Sequence, residues 1–353
     1  GAATALRQAV ASAIRPECVM KVLVTGASGL IGAHVTQALL DQGAEPVACD
    51  TAPFVPPMGA DSNRVPFVQA DVSDLDALSS ILETYQIDRV VHSAAILART
   101  CQENPTLAVN VNVVGSLNVL EAARRLGVTR VVMASSIAVY GNTTDDPIDE
   151  ARLDETHPLN PTTVYGSAKV LVEACGQAYR KNHGLEFVAL RYGATYGPGP
   201  EKPTSTGVAT DLRSFFERAV KSGEVILSDQ DDLKRPLVYV KDAARATALA
   251  CCRQEPAPSS VFNVAGDRAV SLAECAEILA RLLPGLKITR PEKSPATGDV
   301  RPQSVALSMD RARAELGYEP EYPLERGIGE YVDWLQRGVP VAASELTHGG
   351  SHD

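Results

Sequence analysis

Val22-Leu-Val-Thr-Gly-Ala-Ser-Gly-Leu-Ile-Gly32 is the stretch that decides how the rest of the chain is read. Val22 to Val24 is a short apolar run rich in β-branched residues, the pattern of a buried parallel strand. Gly26, Gly29 and Gly32 follow three apart, and Ala33 to Leu40 continues with helical periodicity. Strand, glycine turn and helix opening together make a phosphate-binding device. The glycines let backbone approach a pyrophosphate, and the helix N-terminus offers free N–H groups and a positive dipole end. The first glycine step is longer than the Gly-x-Gly of the usual dinucleotide fingerprint, and a plain tight turn would use the same residues. Asp50, closing the next strand after Pro46-Val-Ala-Cys49, favours the phosphate reading.

Outward from this stretch, strands and helices alternate. Gly43 ends the first helix as a C′ residue. Strands are expected at Val65–Ala70, Arg89–His92, Arg130–Ala134 and Glu186–Leu190. Helices are expected at Asp74–Tyr85, capped by Ser73 or Asp74, at Pro105–Leu126 and at Thr163–Asn182. Regular alternation predicts an α/β fold with a doubly wound parallel sheet. After Gly193 the regularity fails. Short strands near 225–227, 237–240, 261–264 and 287–289 mix with helices near 212–221, 241–252, 272–283, 308–316 and 324–335, as a smaller, mixed C-terminal lobe would. The expected organisation is a leader or extension over 1–19, a nucleotide-binding domain over 20–193, and a substrate lobe over 194–338 with some segments returning to the main sheet. A disordered tail is expected over 339–353. The leader is Ala-rich with a single acid, as a targeting peptide would be. An extension before Met20 is the simpler reading, because the segment lacks the apolar core of a secretory signal.

Composition narrows the function. The 353 residues carry a formal charge of −10 and no basic cluster, which disfavours nucleic-acid binding. No apolar run approaches the ~20 residues of a membrane span. Seven scattered cysteines lack paired spacing and fit reduced thiols in the cytoplasm. Cys251-Cys252 falls in a helical pattern and reads as core. No metal-ligand cluster stands out.

Tyr165-Gly-Ser-Ala-Lys169 carries the first sign of chemistry. Residues four apart share a helix face, and a cation beside a phenol favours the phenolate. Tyr165 could therefore serve as general base to a hydroxyl or general acid to a carbonyl oxygen, although a surface pair would have the same spacing. Ser135 and Ser136 lie just past a strand's carboxyl end, where α/β sheets place ligands, and either hydroxyl could hold a substrate oxygen. Loop capping is their plainer use.

The order of these pieces resembles the extended short-chain dehydrogenase/reductase family, the NAD-dependent epimerase/dehydratase group. The resemblance runs from Lys21 to Leu335. It rests on Thr25-Gly-Ala-Ser-Gly-Leu-Ile-Gly32, Asp71-Val72, His92-Ser-Ala-Ala95, Asn112-Val-Val-Gly115, Ser135-Ser-Ile-Ala-Val-Tyr-Gly141, Tyr165-Gly-Ser-Ala-Lys169 and Leu190-Arg-Tyr-Gly193. It implies a Rossmann sheet, NAD as cofactor, a small-molecule substrate and a homodimer formed through the helices around 105–126 and 163–182. By the same resemblance Ser136, Tyr165 and Lys169 are catalytic, with Lys169 lowering the Tyr165 pKa and holding the nicotinamide ribose. Gly26, Ser28, Gly29, Leu30, Ile31 and Gly32 cradle the cofactor. Asp71 and Val72 meet the adenine, Ala94, Ala95 and Ile96 line the cofactor, and Tyr192 backs the nicotinamide. Asp50 indicates NAD rather than NADP, because its carboxylate accepts from ribose hydroxyls and repels a 2′-phosphate.

The reaction branch turns on the surroundings. Family dehydratases carry Asp-Glu after the catalytic Thr; Ile137 and Ala138 stand there and cannot move a proton. Nucleotide-sugar 4-epimerases carry arginines that grip a diphosphate, and Arg235 and Arg301 resemble them. Two departures weigh against that branch. Gly193 and Ala194 replace the Asn region after Arg-Tyr, and the acidic Ser228-Asp-Gln-Asp-Asp-Leu-Lys234 replaces a Gly-x-Gly. The alternative is an L-threonine dehydrogenase-like enzyme of small hydroxy acids, which Ala95-Ile-Leu97, Asn104-Pro-Thr-Leu-Ala108 and Thr204-Ser-Thr-Gly-Val-Ala-Thr-Asp211 resemble. The two arginines put the sugar nucleotide first. A dinucleotide-binding sensor without catalysis would be expected to have lost Tyr165 or Lys169.

Overall fold

The computed structural model describes residues 19–56, 65–141, 152–199, 208–290 and 306–337. In chain order the elements of the first half are β1 (Lys21–Thr25), α1 (Leu30–Asp41), β2 (Glu45–Asp50), β3 (Phe67–Gln69), α2 (Leu75–Tyr85), β4 (Arg89–His92), α3 (Ala98–Glu103), α4 (Pro105–Arg125), β5 (Arg130–Ser136) and β6 (Arg152–Leu153). Then come α5 (Val164–His183), β7 (Glu186–Tyr192), β8 (Ala194–Tyr196), α6 (Val208–Ser222), β9 (Glu224–Ile226), β10 (Arg235–Tyr239), α7 (Val240–Cys252) and β11 (Val261–Val264). The chain closes with β12 (Ala269–Val270), α8 (Leu272–Leu282), β13 (Lys287–Thr289), β14 (Ala306–Leu307), α9 (Asp310–Leu316) and α10 (Leu324–Arg337).

Seven parallel strands form the main sheet in the order β11-β7-β5-β4-β1-β2-β3. Strand order reverses between β1 and β4, which opens a crevice at their carboxyl ends. Period-two alternation sends successive side chains to opposite helix layers. Val22, Val24, Val132, Val188 and Leu190 join one core with Val35 and Leu39 of α1 and Ala243 and Ala244 of α7. Leu23, Val90, Val131 and Phe187 join the other with Leu78 of α2, Val119 of α4 and Val172 of α5. Each fully buried aliphatic side chain contributes about 1.5–3 kcal/mol, and both faces are covered, so the strands read as continuous apolar runs. The buried alanines of α7, at 243, 244, 246, 248 and 250, let it lie close against α1.

Local signals place the helix starts. The Asp74 side chain accepts from the Asp76 and Ala77 amides at 3.0 and 2.9 Å. Thr163 accepts from Gly166 N at 3.0 Å, and Ser271 with Glu274 forms a capping box. Gly43 follows α1 at φ +76°. Two expectations shift. β3 is three residues long, shorter than the apolar run that suggested it. α4 widens into a π-helix over Val109–Gly115. At 21 residues α4 is long and apolar enough by composition to cross a membrane, yet half of that span is buried in the fold.

The smaller lobe carries the β12-β10-β8 and β13-β9 sheets. Its core is aromatic: Tyr196, Phe216, Tyr239, Tyr331 and Trp334 pack around Ile328. Beyond Gly193 three elements rejoin the main body. β11 extends the seven-stranded sheet beside β7, α7 packs on α1, and α9 covers β11. The six described cysteines are free. Cys251 is fully buried, as expected of core, while Cys252 is half-buried.

Candidate active site

Gly26 has φ +70°, and a Cβ there would lie 2.4 Å from the Ala94 amide nitrogen. The turn therefore closes against the loop after β4 only because residue 26 is glycine. At Gly32 a Cβ would stand 2.1 Å from the Gly26 carbonyl oxygen, so the first turn of α1 rests directly on the glycine loop. No side chain caps α1 and no acid lies in its first turn, which leaves its free N–H groups and dipole for an anion. Asp50 stands at the end of β2. Its two oxygens accept from Ser28 N at 2.9 Å and Ala52 N at 3.0 Å, which orients the carboxylate beside the glycine turn. Val72 is buried beneath Gly115, where a Cβ would meet it at 2.6 Å. Asn118 Nδ2 holds the Val72 and Ser73 carbonyls at 3.1 and 2.9 Å, and Asp71 is exposed beside them. The residues present thus form a phosphate cradle, a ribose acceptor and an adenine edge at one crevice, and they fit a dinucleotide.

Ala94, Ala95 and Ile96 are half-exposed along the same crevice. Asn112 pins them: its Oδ1 accepts from Ile96 N at 2.8 Å and its Nδ2 donates to Ile96 O at 2.9 Å. Behind this loop Thr25 Oγ1 meets His92 Nδ1 at 2.7 Å, and His92 Nε2 meets Ser116 Oγ at 3.0 Å. Ser116 donates to Asn112 O, so it accepts from Nε2–H, and Nδ1 accepts from Thr25. Burial pulls His92 down to about 3, so the imidazole is a neutral strut.

Tyr165, Lys169 and Glu173 stack on one face of α5 at successive four-residue steps. Tyr165 is hydrogen-bonded to Ser136, and burial pushes its phenol up to about 12. Lys169 Nζ lies 5.5 Å from the Tyr165 ring centroid and donates to Ala134 O at 2.7 Å. Burial pulls it down to about 8, against the opposing influence of Cys101 and Glu173. The motif implies that Lys169 lowers the Tyr165 pKa; instead burial dominates, only the Ser136 hydrogen bond acts against it, and the Lys169 ammonium is engaged by the Ala134 carbonyl. The phenol is therefore a neutral acid at physiological pH.

Two other expectations change. Ser135 is 3% exposed, and its Oγ donates to Glu173 Oε1 at 2.5 Å, so its hydroxyl is spent inside the fold rather than offered to substrate. Tyr192 is buried with its hydroxyl 2.6 Å from Thr247 Oγ1 of α7. Strand alternation sends it to the helix layer opposite Arg191, against α7. Arg235 begins β10. The Leu237–Ala194 register sets Arg235 level with the end of β7, at the ligand-bearing edge of the sheet, where Nη2 approaches Gln230 O at 3.4 Å. A side chain at Gly193 would strike the Pro236 carbonyl at 2.1 Å, which explains the glycine that departs from the epimerase pattern. Arg301 and Thr204–Asp211 lie outside the residues whose side chains are described.

Residues 22–265 match the NAD dependent epimerase/dehydratase family. The chain belongs to that family. It is 30% identical over 328 residues to the UDP-glucose 4-epimerase of Halalkalibacterium halodurans, across 89% of this chain and 95% of the relative. The crystal structure of the Thermus thermophilus UDP-glucose 4-epimerase in complex with NAD superposes with a TM-score of 0.77 at 31% identity, covering 91% of this chain and all of that one. A monomeric L-threonine 3-dehydrogenase from a metagenome gives 0.73 at 26% identity, covering 90% and 99%.

Membership makes the enzyme NAD-dependent, and a separate cleft lies between α1, α7 and α10. That cleft of about 590 Å³ is lined by His34, Gln37, Arg245, Tyr322 and Trp334. Its rim cations are neutralised locally: Lys241 pairs with Glu330 at 2.6 Å, Arg245 with Glu321 at 3.3 Å and Arg337 with Asp333 at 4.0 Å. Asn112, Asn118, His92 and Glu173 were not assigned roles from sequence. His92 and Asn112 open two of the stretches that carry the family resemblance, and Glu173 carries a signal of its own as an acid one turn beyond Lys169 on the same face of α5.

Proposed function

We propose that the chain is an NAD-dependent 4-epimerase of a UDP-linked sugar. The observation that carries this reading is Ser136, Tyr165 and Lys169 assembled beside the glycine cradle, with Arg235 at the same edge, in a chain whose relatives include UDP-glucose 4-epimerases. The glycine turn, Asp50 and the Ala94–Ile96 loop would hold NAD, which would supply a hydride acceptor able to return the hydride to the opposite face of the same carbon. Asp50 holds the adenosine ribose and rejects a 2′-phosphate. Ser136 donates a hydrogen bond to the oxygen on the reacting carbon. Tyr165 takes the hydroxyl proton as hydride leaves and gives it back when hydride returns. As acid the phenol is ready in its resting form. As base it must first ionise, which the positive charge of Lys169 near the ring favours. The walls of Ala94, Ala95 and Ile96 keep water from the intermediate.

Arg235 and Arg301 would hold the diphosphate. The test is a calorimetric titration of UDP into NAD-loaded protein and its Arg235→Met and Arg301→Met variants. A charge-assisted bond contributes about 1.5–3 kcal/mol, so each variant should bind UDP about 10- to 100-fold more weakly. No heat from any nucleoside diphosphate at millimolar concentration would refute the sugar reading.

A second reading, oxidation of a small hydroxy acid, is favoured by the acidic Asp229–Asp232 turn next to Arg235 and by Ala194. It requires NADH to accumulate one for one with product when L-threonine is offered.

We further propose that α4 and α5 form a homodimer face. They pack side by side and expose Leu107, Val109, Val114 and Leu171 at 40, 47, 39 and 49%. Two such pairs would make a four-helix interface, and a monomer in sedimentation velocity would exclude it.

A further inference from the structure

Three consecutive residues at the end of β5 each hold one residue of α5. The Ala134 carbonyl takes Lys169, the Ser136 hydroxyl meets Tyr165, and the Ser135 hydroxyl donates to Glu173. The first two contacts involve the catalytic pair. The third lies deeper. Glu173 is 2% exposed and Arg191 3% exposed. Arg191 stands directly across from Ser135 in the sheet and binds Glu173 bidentately, Nη2 to Oε2 at 2.7 Å and Nε to Oε1 at 3.0 Å. The row continues to β11. Arg191 Nη1 donates to the Tyr140 hydroxyl at 3.0 Å, and that hydroxyl donates to Asn263 Oδ1 at 2.7 Å. Asn263 is the register partner of Arg191 on its other side, and its Nδ2 ties down Leu153 O and Ser308 O at 3.0 and 3.2 Å.

A buried ion pair of this kind gives little net stability, because desolvation of both charges offsets their attraction. Its geometry is what is unusual: one carboxylate joins β5 and β7 directly, and β11 through Arg191 and Tyr140, to the helix that carries Tyr165 and Lys169. We propose that Glu173, clamped by Ser135 and Arg191, is a positioning residue that sets the distance between the end of β5 and α5, and so the placement of Tyr165 against Ser136 and of Lys169 against Ala134. The proposal rests on the reading of Tyr165 and Lys169 as the catalytic pair. Its charge acts in the same sense: Glu173 opposes the pull of burial on Lys169 and keeps the ammonium protonated. Cys101 is the other acidic group that influences Lys169, and His92 faces it as a neutral ring.

The experiment uses NAD-loaded protein with 13C-labelled lysine, Lys169 being assigned from a Lys169→Arg variant. In Glu173→Gln, which keeps the shape and loses the charge, the Lys169 titration midpoint should fall by roughly one unit. UDP-glucose turnover should fall about 10- to 100-fold, as for a small misplacement of reacting groups, with KM little changed. Ser135→Ala keeps the charge and removes one anchor. It should leave the midpoint in place and lower kcat several-fold, and because it deletes a single hydroxyl it tests the clamp even if Glu173→Gln fails to fold. A Glu173→Gln protein that melts earlier but keeps the wild-type midpoint and kcat would make the network merely structural. So would a Ser135→Ala enzyme with wild-type kcat. The titration needs no substrate. A wild type inactive on UDP-sugars would therefore overturn the substrate reading while leaving the midpoint shift to decide this one.

Discussion

Tyr165→Phe isolates the proton from everything else the side chain does. The ring stays between Ser136 and Lys169, so packing is preserved. Lys169 keeps its anchor because its ammonium bonds to Ala134 O rather than to the phenol oxygen. The Ser136 hydroxyl loses one partner but still accepts from Ala138 N at 3.2 Å. The stability cost is therefore that of one hydrogen bond, about 1 kcal/mol, and NAD affinity should stay within about threefold of wild type, under that same hydrogen-bond scale. Catalysis is different. Without the phenol proton the alkoxide must form unaided, and loss of a general acid–base lowers turnover by about 100-fold or more, roughly 2.7 kcal/mol of barrier. The assay is 4-epimerisation of UDP-glucose, with the epimers separated by chromatography, alongside a calorimetric NAD titration of the same preparation. Turnover within threefold of wild type would refute the role given to Tyr165. A large loss of NAD binding would show instead that the substitution had damaged the crevice.

Asp50→Ala should weaken NAD binding and relieve rejection of NADP, because one carboxylate accepts from the ribose hydroxyls and repels the 2′-phosphate; wild-type protein that prefers NADP in a direct titration would overturn this. Burial holds Lys169 at about 8, below its ordinary value of 10.5. Its protonated form therefore costs the fold stability below about pH 8, and stability should rise as pH climbs from 8 towards 10.5, since the unfolded chain binds more protons there. A Lys169→Met protein should lack that rise in chemical denaturation, and a wild-type pH profile in the variant would exclude Lys169 as its source. NAD affinity should fall over the same interval as the ammonium that would hold the ribose is lost.

Much of this molecule was legible in one dimension because the signals are local. The Val22–Gly32 stretch, the Asp74 cap, and the four-residue step from Tyr165 to Lys169 each depend on neighbours within a turn or a strand. They appear in the structure where periodicity and capping chemistry put them. The family resemblance added the roles of residues far apart, and the match over 22–265 supports the membership. What tertiary structure decided depends on register and burial, which no window of sequence contains. Ser135 and Ser136 are adjacent and alike on paper, yet pairing β5 with β7 sets Ser135 opposite Arg191 and commits it to Glu173. Tyr192 reaches Thr247 because an even step along β7 belongs to the layer of α7. β11 and α7 fall in the irregular half of the chain but complete the main sheet and its cover, since parallel partners are chosen by distant strands. Finally, spacing alone gave Tyr165 a cation neighbour and a lowered pKa. Only the packed site shows that desolvation of the phenol is the dominant effect.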